Sequence, residues 1–188
     1  MSSSYRLDVI SAGVADAVRY AGGLMFDRGR AGWRVVVVTQ DEADSTALTI
    51  LGTCTQSPGQ IDEPLVRPGR VVHTRILSGD AVPVNRHAAG VGTPQAAPGS
   101  HLLFWGPQAG GKQTGPVHPV RHELSPAARK FKAHALHAAG LDTELEPSEE
   151  FWASGVLDPD LLVDLVHGPN IHASKTHARL SSQNLVGG

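Results

Sequence analysis

Apolar and polar positions alternate over residues 5–10, with Tyr5, Leu7 and Val9 on one side, and predict a short strand. Beyond it Val14, Ala17, Val18, Ala21, Leu24 and Met25 recur at intervals of three and four, the spacing of one helix face. Ser11 stands where a hydroxyl can accept an orphan backbone N–H and cap that helix. Gly22 and Gly23 lower helix propensity midway and mark a point of close packing against a sheet. Arg28, Arg30 and Gly32 supply a cationic last turn and a stop. Val35, Val36, Val37 and Val38 follow without interruption, as in a strand buried on both faces. Strand, helix and buried strand make a βαβ unit, which implies parallel pairing through a right-handed crossover.

Further along, residues 41–45 turn the chain, and Leu48, Ile50 and Leu51 predict a strand within residues 47–54. Val72, Thr74 and Ile76 alternate with His73 and Arg75, a strand with one wet side that belongs near a sheet edge. Residues 101–105 (HLLFW) form an apolar strand candidate inside a long loop region, 82–123, rich in Pro and Gly. Ser125 caps a helix with Pro126 at its first position, and Gly140 ends it. An acidic turn of helix is expected over residues 148–153, and a short helix from Asp158 through Leu161, Leu162, Leu165 and Val166. The fold class is therefore α/β. A single domain spans residues 1–168, with a small mixed sheet begun by the βαβ unit, three to four helices and long Gly/Pro-rich loops. Residues 169–188 are a loose polar tail.

Composition changes this picture only at the margins. Apolar residues make up 40% of the 188 and charged residues 18%, beside 21 Gly and 13 Pro, which is a compact core carried with irregular loops. A net charge of −2 removes any whole-chain electrostatic case for nucleic acid or membrane. The charge is nonetheless divided: bases prevail over residues 61–140, and residues 141–165 carry only acids. One cysteine, Cys54, forms no intrachain disulfide, fits a reducing compartment and is read as a small core residue. The first ten residues lack the pattern of a signal peptide, and no apolar run is long enough for a membrane span, so the expected location is cytoplasmic.

Four constellations invite a chemical reading. Gly106, Gly111 and Lys112, directly after an apolar strand, are spaced as in the Walker A phosphate loop. Against it, Gln113 replaces the magnesium-binding hydroxyl, and Gly115, Pro116 and Pro119 obstruct the helix whose dipole would face the phosphates. Arg121, Arg129, Lys130 and Lys132 make a basic stretch that could contact a nucleic-acid backbone, though its one aromatic, Phe131, is spaced as a core residue. His134 and His137 share a solvent-facing side of that helix beside Lys130, and no HExxH or Cys/His cluster occurs, so no metal and no cofactor are expected. Asp41, Glu42 and Asp44 follow the buried strand at the end where α/β sheets bind ligands, but a turn explains them as well. No GxSxG elbow is present, and the sequence specifies no nucleophile arrangement.

The run from Ala21-Gly22-Gly23 through Gly32-Trp33 to Ile50-Leu51-Gly52, with Arg121-His122-Glu123-Leu124-Ser125 and Ala138-Ala139-Gly140-Leu141, resembles small soluble proteins of actinobacteria. That resemblance implies a source and brings no activity with it. The functional expectation is a cytosolic, non-catalytic binding or interaction module for a macromolecular partner. The alternatives are a phosphate or nucleotide binder using Gly106, Gly111 and Lys112, and a nucleic-acid accessory protein using the basic stretch.

Overall fold

The βαβ unit is present. In the computed structural model, which describes residues 4–39, 46–56, 71–78, 100–106, 116–155, 159 and 163–168, β1 (Ser4–Ile10) leads into α1 (Val14–Arg30). β2 (Arg34–Val38) returns parallel to β1, with Leu7 opposite Val35 and Val9 opposite Val37. The chain continues through α2 (Thr46–Ile50), β3 (Cys54–Gln56), β4 (Val71–Ser78), β5 (Ser100–Trp105), β6 (Val117–Glu123), α3 (Pro126–Ala138), β7 (Ser148–Ser154) and β8 (Val166–His167). All eight strands join one sheet in the order β3-β2-β1-β4-β5-β7-β6-β8. The block from β3 to β5 is parallel, and β7 enters antiparallel to both β5 and β6. The sheet is thus mixed and the fold α/β, as the pattern of the chain implies.

The three helices of the described residues pack on one face. Leu7 and Val9 of β1, Val35 and Val37 of β2, Ile76, Leu103 and Trp105 meet Val18, Ala21, Leu24 and Met25 of α1, Leu48 of α2 and Ala135 and Leu136 of α3 in one core. The alternate residues Ile10, Val36, Val38, Leu77 and Phe104 form a second, smaller apolar cluster on the other face. Period-two alternation on strands whose two sides are both buried produces this division. Among the described residues no helix is long and apolar enough to cross a membrane.

Several local expectations are corrected. Residues 46–50 are helical, because Ala47, Leu48 and Leu51 fall on one helical face and bury against the α1–α3 layer. The strand follows only at Cys54, which is exposed and no core residue. Residues 148–154 form a strand instead of a helical turn: Glu149, Phe151 and Ala153 are buried while Glu150 is exposed and Trp152 half-buried, a period of two. Residues 117–123, read as loop, are a strand in which Pro119 lacks an N–H but its carbonyl accepts the Gly168 N–H at 2.9 Å. Val163 and Asp164 lie in a turn, and Val166 and His167 in an edge strand, where a helix was expected. The expected loop at 82–99 and the tail at 169–188 lie outside the described residues.

Ser125 caps α3 as expected, its Oγ accepting the Ala128 N–H at 3.0 Å, with Pro126 at the start of the helix. Gly32 and Gly140, with φ of 88° and 70°, take the left-handed turn that ends α1 and α3.

Gly23 answers to a tighter requirement. A Cβ there would lie 2.5 Å from Leu124 Cγ and 2.9 Å from its Cδ2, and Leu124 is itself buried. Gly23→Ala is therefore expected to lower stability by about 1–3 kcal/mol, outweighing the helix-propensity gain of about 1 kcal/mol. Gly29→Ala in the same helix meets only Val35 Cγ2 at 3.9 Å and is the control. Thermal unfolding should show a lowered midpoint for the first and an equal or raised one for the second.

Candidate functional site

In a sheet of this kind ligands bind outside the carboxyl ends of the parallel strands, where the strand order turns back. Here that point lies between β1 and β4, since the order runs from β1 to β2 and β3 on one side and to β4 and β5 on the other. Ile10 and Leu77 are the last registered pair, so Ser11 and Ser78 flank the switch point one step beyond. Both are buried. The Ser11 N–H donates to the Val38 carbonyl at 3.1 Å, and Thr39 Oγ1 donates to the Ala12 carbonyl at 3.2 Å. These two bonds fasten the turn between β1 and α1 to the end of β2.

Ser11 does not cap α1. The N-cap is Gly13, in an extended conformation, which has no side chain to bond the first-turn N–H groups. Ser11 is 2% exposed, and among the described residues its Oγ has no hydrogen-bond partner. Ala12 and Asp16 are exposed and Gly13 and Ala15 half-buried, so the start of the helix is open to solvent. Tyr20 stacks on Trp105, the final residue of β5, with ring centroids 6.3 Å apart. The edge therefore offers a helix N-terminus and a hydroxyl, both able to donate to an oxygen atom.

A second polar group lies inside the sheet on the face away from the helices. Asp8 is fully buried in the central strand. Arg6 Nε donates to its Oδ1 at 2.6 Å and His73 Nε2 to its Oδ2 at 2.8 Å, with Arg75 Nε 3.9 Å away. Burial by itself pushes the Asp8 carboxyl up, but the hydrogen bonds and charges of His73 and Arg6 outweigh it and hold it below the usual 3.8. The expectation that β4 lies near an edge is corrected by the same contacts. β4 is central between β1 and β5, and the His73 and Arg75 of its polar side face Asp8 of the neighbouring strand.

Two further networks, one buried and one partly buried, hold the layers together. Glu149 of β7 accepts from Gly23 and Leu24 backbone N–H groups at 2.7 and 2.8 Å and from Lys132 Nζ at 2.6 Å. Asp27 accepts from Ser125 Oγ at 2.6 Å, Ser125 N at 3.1 Å and His122 Nε2 at 3.0 Å, and His122 Nδ1 donates to the Asp164 carbonyl at 2.9 Å. Arg28 completes this lock, bidentate to Asp164 at 2.7 and 2.8 Å and 4.2 Å from the centroid of the Trp33 ring. Here serine and histidine both donate to the carboxylate instead of bonding each other, so the arrangement is a clasp and not a nucleophilic triad.

The residues singled out from the sequence are dispersed. Gly106, with φ of 98°, ends β5, while Gly111 and Lys112 lie outside the described residues, as do Asp41, Glu42 and Asp44. Lys132 points inward to Glu149, Arg121 forms an ion pair with Glu123 at 2.9 Å, and Arg129 and Lys130 are exposed. Phe131 is 44% exposed and stacks on Phe26, because the inward position of that turn is taken by Lys132. His134 and His137 are exposed. Ser11, Asp8 and His73 escaped functional notice. The one available sign was a charged residue amid the apolar pattern of β1.

Compared by sequence, the chain matches no family model and no curated protein. Solved structures with a similar course exist. The zinc-inhibited form of teicoplanin deacetylase Orf2 is 14% identical, covering 88% of this chain and 99% of that one, with a TM-score of 0.45. A deacetylase–teicoplanin complex is 16% identical over 82% and 99%, with a TM-score of 0.48. The deacetylase Dbv21, acting on the A40926 pseudoaglycone, is 14% identical over 86% and 97%, at 0.45.

These solved chains are described as deacetylases, and the expectation of a non-catalytic protein-binding module is corrected on that account. No residue role and no deacetylase activity passes across at such identities. Among the described residues no group of three or more His, Cys, Asp or Glu side chains is placed to hold a metal ion.

Proposed function

We propose that this chain takes up a small polar molecule at the carboxyl edge of its parallel strands, between β1 and β4. The observation that carries the reading is the Ser11 hydroxyl, buried without a partner among the described residues, in the turn that leads into a helix with glycine at its N-cap. A buried hydroxyl left unbonded costs about 1–3 kcal/mol, a cost that a bound oxygen would remove. The first-turn N–H groups of α1 and the positive end of its dipole favour the same kind of atom, a carbonyl, carboxylate or phosphate oxygen. Thr39 and the β2 end hold the turn in place for it.

Ser11→Ala separates this role from a structural one. Without ligand the variant should be as stable as the parent or more so, because it deletes an unsatisfied polar atom. The parent should show a saturable rise in melting temperature with at least one member of a panel of small carboxylates, amides and phosphates. Ser11→Ala should lose most of that rise. The reading is overturned if no member shifts the parent, or if the variant responds equally.

A further inference from the structure

The face of the sheet away from the helices carries a row of bases that β1, β2 and β4 place side by side. Register sets Arg34 of β2 opposite Arg6 of β1, and Arg6 opposite His73 of β4. Residues at one register level on neighbouring strands stand about 4.8 Å apart with side chains on the same face. Three basic side chains therefore line up across three adjacent strands, and Arg75 lies two residues along β4 from His73 on the same side. Asp8 is the one carboxylate that contacts this group among the described residues.

Asp8 does not use up the donors of the row. It takes Nε of Arg6 and Nε2 of His73, and Arg6 Nη2 remains buried with no hydrogen-bond partner although the residue is only 8% exposed. Arg34, exposed, has no carboxylate partner among the described residues. A guanidinium presents its donors in a planar fork that suits an oxyanion with two acceptor oxygens. An unbonded buried guanidinium N–H next to a second arginine is what such an oxyanion would satisfy.

We propose that Arg6, Arg34 and His73 form a second binding site, for the carboxylate or phosphate group of a small anionic molecule, with Asp8 as the group that positions Arg6 and His73. The site lies about four residues, or about 13 Å, along β1 from the carboxyl edge, so it is separate from the one at Ser11. It does not depend on the Ser11 reading.

Calorimetric titration with inorganic phosphate, and separately with succinate, tests it at low ionic strength. At least one probe should bind saturably, and Arg34→Gln should weaken that binding at least fivefold. Because Arg34 is exposed, its loss leaves the fold intact. Arg6→Gln should abolish the binding, with circular dichroism confirming that the variant is folded. The choice between phosphate and succinate identifies the oxyanion. Absence of saturable binding with both probes overturns the proposal. So does binding that survives both arginine variants, and if that binding disappears in Ser11→Ala it belongs to the α1 terminus.

Discussion

Glu149→Leu should be among the most damaging single substitutions in the described part of the chain, lowering unfolding free energy by about 3–5 kcal/mol. The reason lies in what it abandons. Lys132 is 5% exposed, and its ammonium is bonded to Glu149 Oε1 at 2.6 Å. Without the carboxylate that charge stays buried and unpaired, a far greater penalty than the net value of the pair. The N–H groups of Gly23 and Leu24 lose an acceptor at the same stroke. Replacing both members, Glu149→Leu with Lys132→Met, should recover most of the loss, since an apolar pair of similar volume suits a buried site. Urea denaturation of the two single variants and the double variant completes the cycle. A Glu149→Leu protein within 1 kcal/mol of the parent would show that the pair is not buried as described.

Asp8→Asn is expected to cost about 2–3 kcal/mol at neutral pH, the value of charge-assisted bonds to Arg6 and His73. The cost depends on pH with a definite sign. The folded carboxyl titrates below its ordinary 3.8, so the folded state favours the ionised form. That stabilisation is fully present above about pH 4, where the unfolded carboxyl is also ionised. It declines as pH falls through the lowered folded value. The gap between parent and Asp8→Asn should therefore narrow as pH falls below 4. Denaturation midpoints of both proteins at pH 3, 5 and 7 measure it. A gap that does not narrow at pH 3 would contradict the ionised pair.

Where the sequence read correctly, one local pattern had one structural solution. The β1–α1–β2 unit followed from alternation, a three-to-four spacing and four consecutive valines, each a pattern carried by neighbouring residues. Ser125, Pro126 and Gly140 marked α3 because capping chemistry is local. Misreadings arose where a distant partner set the outcome. Glu149 and Glu150 suggested a helical turn, yet Glu149 is held in a strand by Lys132 and by the backbone of α1. Lys132 displaced Phe131 from the inward position for the same reason, since a buried carboxylate demands a cation. At α1 the local pattern marks the helix start, but the N-cap is Gly13, and the Ser11 hydroxyl that does not cap it is the candidate site.

From sequence alone, then, came the α/β class, the parallel unit that begins the sheet and the two longest helices, because hydrophobic periodicity and capping are properties of neighbouring residues. The strand order, the central position of β4 and the meeting of Arg34, Arg6, His73 and Asp8 were decided only by tertiary structure. Their registers join residues up to 67 positions apart, as between Arg6 and His73, and no local pattern records which strand lies beside which.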